Sequence, residues 1–217
     1  MGGFLALPGR AGLVKLSFEY EELDVTVIDT LRERLLAYRQ RDFPVALPEA
    51  AVLMPFTDAR DPELILTVRS NEMPTHAGEV AFPGGKRDPG DRDLLATALR
   101  ESEEEVGLAP REVEVLGQLS PLASRFGMKV TPFVGLVAAD VPLQAEPGEI
   151  DEIFRVPLSF FLDSEPDLSS PIDFFGKRLR IPSYYFEDKR IWGLTAFMIL
   201  DLINHAFDAG IPFEETA

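Results

Sequence analysis

The sequence predicts an α+β fold with helices packed on a sheet, and three observations predict it. Apolar, partly β-branched runs at 51–56, 64–68, 113–119 and 130–138 read as strands. Other stretches carry apolar residues at three- and four-residue spacing and read as helices. The two kinds are mixed along the chain without regular βαβ alternation.

In chain order, Val25 to Arg39 reads as a helix, with Val27, Leu31, Leu35 and Leu36 at helical spacing. The strands Ala51–Phe56 and Leu64–Val68 follow. Thr75 to Asp91 holds four glycines and two prolines and reads as loop or irregular strand. Asp91 to Val106 reads as a helix, capped by Asp91 and ended by Gly107 and Pro110. After the strands Val113–Leu119 and Val130–Ala138, Pro142 to Gly148 is a loop, and Ile150 to Leu162 fits either strand or helix. Arg178 to Phe186 reads as strand and Trp192 to Asp208 as a closing helix, with Trp192 in the core. Residues 1–45 form an N-terminal extension with a helix, and 46–217 form the main domain.

Composition narrows the function. Of 217 residues, 46% are hydrophobic and 27% charged, which suits a globular protein with a packed core. Acidic side chains outnumber basic ones 37 to 21, a formal charge of -16 that repels nucleic acid and anionic membrane. A small phosphorylated ligand remains compatible, because a divalent metal and a few local cations reverse the sign within one cleft. The absence of cysteine excludes disulfides, thiolate metal sites and a cysteine nucleophile. The first residues show neither a signal-peptide pattern nor a myristoylation pattern, and 191–207 is too short and polar to span a bilayer. The expected location is the cytoplasm.

Chemistry concentrates on the helix ending at Val106. On a wheel of about 100° per residue, Leu95, Ala98, Leu99, Ser102 and Val106 share one stripe that packs on the core. Glu101 and Glu105, four apart, stack on a different face, and Glu104 lies beside them. Like charges at this spacing repel, and acids near a helix C-terminus oppose its dipole. A divalent cation would cancel both penalties, and magnesium takes oxygen ligands while keeping water and room for phosphate. A solvated acidic face is the plain alternative at this point.

The surroundings decide between them. Gly84-Gly85 precedes the helix, and Arg100-Glu101-x-x-Glu104-Glu105-x-Gly107 closes it. This resembles the Nudix family, whose box runs Gly-x5-Glu-x7-Arg-Glu-x-x-Glu-Glu-x-Gly. Asp91 stands at the first acidic position, and eight residues rather than seven separate it from Arg100. The resemblance implies the Nudix fold, a mixed sheet between helices in an α/β/α sandwich. It also implies magnesium (or manganese) as cofactor. Glu101 and Glu105 would be metal ligands, Glu104 a further ligand or a catalytic water-positioning group, and the Gly85 carbonyl a ligand. Arg100 would orient a carboxylate. Glu149, beside Asp151 and Glu152 after the 142–148 loop, would be the late-loop catalytic carboxylate.

A second resemblance lies upstream. Ile65-Leu66-Thr67-Val68-Arg69-Ser70, then Gly78 and Phe82-Pro83-Gly84-Gly85, match the spacing of the coenzyme A pyrophosphatase signature Leu-Leu-Thr-x-Arg-Ser-x3-Arg-x3-Gly-x3-Phe-Pro-Gly-Gly. Pro74 stands where that signature has its second arginine. The branch implies hydrolysis of coenzyme A to 4′-phosphopantetheine and adenosine 3′,5′-bisphosphate, by in-line attack of water on phosphorus. Arg69, Lys86, Arg87 and Arg125 are the substrate-binding candidates, with Lys129 beside Arg125. His76 reads as a loop-ordering residue. The alternatives are a Nudix pyrophosphatase for ADP-ribose or dinucleotides and a non-catalytic ligand-sensing module. The expected partner is a small nucleotide, with no nucleic acid and no membrane, and a homodimer is left open.

Overall fold

In the computed structural model, which describes residues 26–41, 43–73, 76–174 and 177–212, a mixed sheet separates two apolar clusters. Its strands are β1 (Glu49–Asp58), β2 (Glu63–Arg69), β3 (Val80–Ala81), β4 (Gly84–Lys86), β5 (Glu114–Gln118), β6 (Leu122–Ala123), β7 (Lys129–Ala138) and β8 (Ile150–Pro157). The central order is β3-β2-β1-β7-β5, with β4 on β1, β6 on β7 and β8 on β2. β1 and β7 run parallel over their whole length, from Glu49 opposite Lys129 to Asp58 opposite Ala138, and the other pairings are antiparallel.

Alternation along the strands builds the layers. Successive side chains of a strand point to opposite faces. Leu53, Ile65 and Phe133 therefore join one cluster with Ala98 and Val106 of helix α2 (Leu94–Val106). Their neighbours Met54, Leu64, Leu66 and Val134 join the other, with α1 (Val27–Ala37) and α4 (Gly193–Ala206). The result is the helix–sheet–helix sandwich expected. Each such buried Leu, Met or Phe contributes about 1.5–3 kcal/mol.

The segment expected as an extension supplies Ile28, Leu31 and Leu35 of α1 to the larger cluster. A capping box starts this helix: Asp29 N–H donates to Thr26 Oγ1 at 3.1 Å and Thr26 N–H to Asp29 at 3.2 Å. Leu35 Cβ would meet a side chain at Gly117 of β5 at 3.0 Å, so glycine there admits the helix.

Several sequence expectations shift. α2 starts at Leu94, and Asp93 rather than Asp91 caps it by accepting from Ala96 N–H at 2.7 Å. The ambiguous 150–162 run is strand β8 up to Pro157, then helix α3 (Leu158–Asp163). The expected strand 178–186 is two: β11 (Lys177–Leu179), paired with β10 (Ile172–Phe174), and β12 (Pro182–Phe186). β12 lies between β9 (Asp167–Leu168) and β13 (Lys189–Trp192). Trp192 ends β13 instead of lying inside the closing helix, and it is only partly buried. Pro74 lies outside the described residues. None of the described helices is long and apolar enough to cross a membrane.

Candidate active site

Three pieces of backbone meet at the end of α2. Leucine and threonine side chains bury β2, which delivers Arg69 at its last position. β4 pairs with β1, Gly85 opposite Ala51, and presents its glycines to the helix. A Cβ on Gly84, whose φ is +153°, would lie 2.4 Å from the Ala51 carbonyl; one on Gly85 would lie 2.5 Å from the Glu101 carboxylate. Position 84 therefore requires glycine, and a side chain at Gly85 would displace the Glu101 carboxylate. The 142–149 loop closes the third side. Gln144 N–H donates to Val106 O and Glu146 N–H to Glu105 O, both at 2.9 Å, satisfying carbonyls that the helix end leaves open. Gly107, at φ +70°, reverses the chain there.

The three helix glutamates divide into two groups. Glu105 is buried, although the wheel sets it off the core-facing stripe. Its oxygens accept from Gly84 N–H at 3.0 Å and Arg69 Nη1 at 3.2 Å. Burial pushes its carboxyl up to about 7, aided by the charges of Glu101 and Glu149 and opposed by Gly84 and Arg69. Glu101 and Glu104 instead share Arg100 Nη1, each at 2.9 Å. Burial also raises the Glu101 carboxyl, with Arg100 opposing and the charges of Glu104 and Glu149 adding to the rise.

Arg100 is the organiser on that side. Its Nε and Nη2 donate to the two oxygens of Asp91 at 3.0 and 3.1 Å, and Nη2 also donates to Lys86 O at 3.2 Å. These bonds, chiefly, hold the Asp91 carboxyl well below the usual carboxylate range. Asp91 thus fills the first acidic position of the box despite the extra residue. It anchors the arginine and bonds Thr97 Oγ1 at 2.8 Å.

The candidate cations are mostly committed. Arg87 pairs with Glu49 at 2.9 Å, Lys129 with the same carboxylate at 3.4 Å, and Arg125 with Glu79 at 2.7 Å. Lys86 is exposed next to Gly85 and has no charged partner among the described residues. His76, at φ +60°, bonds Glu79 through Nδ1 at 2.6 Å and orders its loop. Asp151 accepts from Asn71, and Glu152 pairs with Lys189, so both are occupied. Glu149 is exposed at the end of its loop, and its carbonyl accepts from Ser70 N–H at 2.8 Å. Sequence reasoning missed the burial of Glu105 and the pairing of Arg190 with Trp192, whose guanidinium lies 5.0 Å from the ring centroid.

The residues present fit a divalent cation of the magnesium type. Glu101 and Glu105 are hard oxygen donors whose charges, with that of Glu149, repel one another in a partly dry cleft. Among the described residues no three acidic or histidine side chains are gathered to enclose an ion alone. Such a set suits an ion held by one or two carboxylates that keeps water or takes substrate oxygens.

The chain is similar to known proteins. The model of the NUDIX domain matches residues 47–170. The chain is 46% identical over 153 residues to the uncharacterised Nudix hydrolase NudL of Photorhabdus laumondii, covering 70% of this chain and 82% of that protein. The NudL of Yersinia pestis is 45% identical over 153 residues, 70% of this chain and 77% of that one. Among solved structures, a MutT/nudix family protein from Enterococcus faecalis aligns with 92% of this chain and 76% of its own at 15% identity and a TM-score of 0.47. With the glutamate helix, its glycine loop and these relatives in view, the chain belongs to the Nudix hydrolase family.

Proposed function

We propose that this Nudix hydrolase cleaves the diphosphate of coenzyme A and its derivatives, releasing 4′-phosphopantetheine and adenosine 3′,5′-bisphosphate. One observation carries the reading. The segment that resembles the coenzyme A signature ends β2 with Arg69, and that guanidinium lies 3.2 Å from Glu105 at the heart of the site. That contact, between the segment resembling the substrate signature and a glutamate of the helix, supports the reading.

Glu101 and Glu105, with Glu104 and the Gly85 carbonyl as further donors, would hold magnesium or manganese. The metal supplies charge neutralisation of the diphosphate and a lowered pKa for water. Arg100, anchored on Asp91, orients Glu101 and Glu104. Arg69 holds the Glu105 carboxylate against the Gly84 amide. Lys86 meets substrate phosphate, because its charge is free beside the glycine turn. Glu149 accepts the proton of the attacking water, because it is exposed and close enough for its charge to act on both Glu101 and Glu105.

A second reading, a pyrophosphatase for ADP-ribose or a dinucleotide, is favoured by Pro74, where the signature has an arginine. Product chromatography ranks the two. Purified protein with magnesium is incubated in turn with coenzyme A, NADH, ADP-ribose and nucleoside triphosphates. Higher kcat/KM on coenzyme A, with the two named products, is expected; a preference for ADP-ribose would overturn the branch.

A further inference from the structure

A row of alternating aromatic rings and guanidinium groups crosses the surface beside β3. Arg125 lies 4.8 Å from the Phe126 ring centroid and 5.6 Å from that of Trp192. Arg190 lies 5.0 Å from Trp192 and 6.0 Å from Tyr185. The order is thus Phe126, Arg125, Trp192, Arg190, Tyr185. Phe126 is 55% exposed and Tyr185 57%, and the Phe126 ring also meets His76 edge-on at 4.6 Å. Arg190 donates to Ser183 Oγ at 3.0 Å and has no carboxylate partner among the described residues, in a chain of net charge -16.

The row connects with the cleft. Arg125 pairs with Glu79, whose carbonyl accepts from Arg69 N–H at 3.0 Å, and Arg69 pairs with Glu105. Thr195, three residues past Trp192, donates to the Val80 carbonyl of β3 at 3.0 Å. A substrate with its diphosphate at the glutamates would extend its nucleoside half along this edge. Flat faces interleaved with cations suit a ligand that is itself a flat ring bearing phosphate.

We propose that this row is the binding surface for the purine nucleoside half of the substrate. The base stacks on the exposed rings that lie to either side of Trp192 in the row, Phe126 and Tyr185, and the Arg190 guanidinium meets a phosphate remote from the scissile bond. The inference rests on the nucleotide hydrolase reading and names the residues that would recognise its nucleoside 3′-phosphate.

Trp192 is the sole tryptophan, so its emission reports on the row without any turnover. The wild-type protein is titrated with adenosine 3′,5′-bisphosphate, AMP and 4′-phosphopantetheine, with excitation at the red edge of the indole band. Saturable quenching by the bisphosphate is expected, weaker binding of AMP, and no quenching by 4′-phosphopantetheine. Arg190→Gln, an exposed substitution, should weaken the bisphosphate by about tenfold or more, as expected for one charge-assisted hydrogen bond. No saturable quenching in the wild type, equal affinity in Arg190→Gln, or emission that follows protein concentration instead of nucleotide would each overturn the proposal. Coenzyme A hydrolysis, measured in parallel, separates the two readings. Cleavage without quenching removes the row and keeps the activity; quenching without cleavage does the reverse.

Discussion

Arg100 grips Asp91 with two parallel hydrogen bonds of 3.0 and 3.1 Å, and the same guanidinium reaches Glu101 and Glu104. The pair ties the loop before α2 to the side of the helix that carries Glu101 and Glu104. Two-point pairing of this kind fixes orientation as well as charge.

Asp91→Asn should therefore cost stability and activity together. Loss of the charge at a side chain only 7% exposed should lower stability by about 1.5–3 kcal/mol at neutral pH. Because the folded carboxyl is depressed, this contribution is present above its ordinary value of 3.8 and fades as pH falls below it. Urea titrations of both proteins at neutral pH and in acid check this. A gap that stays constant as pH falls would refute the pairing as its source.

Glu105→Gln should cut hydrolysis on the order of a hundredfold or more, since a metal ligand carries several kcal/mol of charge stabilisation. Without metal, the fold should hold or gain slightly. Glutamine removes a buried charge and keeps one oxygen for one of the two donors, Gly84 N–H and Arg69 Nη1, which bond different oxygens of the carboxylate. Turnover assays paired with thermal melts test both halves; near-normal rates at saturating magnesium would sink the ligand role.

The same residue sets a pH dependence. Glu105 titrates near 7 in the fold against an ordinary 4.5, so the native state holds a proton that the unfolded chain releases. In EDTA, stability should fall as pH rises from 4.5 to about 7, by at most about 3 kcal/mol. Millimolar magnesium should reverse the fall at the upper end, because a ligand that prefers the native state stabilises it. Melting temperatures across that range, with and without magnesium, should diverge as pH rises; parallel curves would contradict the linkage.

Coenzyme A should be a better substrate than dephospho-coenzyme A by roughly ten- to a hundredfold in kcat/KM, the worth of one charge-assisted contact to the 3′-phosphate. Added salt should narrow the ratio. Equal rates would remove that contact while leaving the enzyme class intact.

The spacing of Glu101, Glu104 and Glu105 was legible because helical periodicity is local. The burial of Glu105 was not, because its partners Gly84 and Arg69 are 21 and 36 residues away. Asp91 and Asp93 both suit a helix cap. What separates them is Arg100, nine residues on, which occupies Asp91 and leaves Asp93 to the amides. Trp192 looked like core because tryptophan is mostly apolar; its cationic neighbours Arg125 and Arg190 became visible only when β13 met the loop at 125. The strands β1 and β7 were clear from composition, while their parallel pairing is a long-range fact.

The loop that follows β7 is laced to the helix end by Gln144 and Glu146 amides, and to the end of β2 by the Ser70 amide on the Glu149 carbonyl. Every one of these ties is main chain to main chain. The path of this loop is therefore insulated from the identity of the side chains it displays. A side chain such as that of Glu149 can be exchanged without unlacing the loop, so the path of this backbone is inherited whole whatever chemistry it displays.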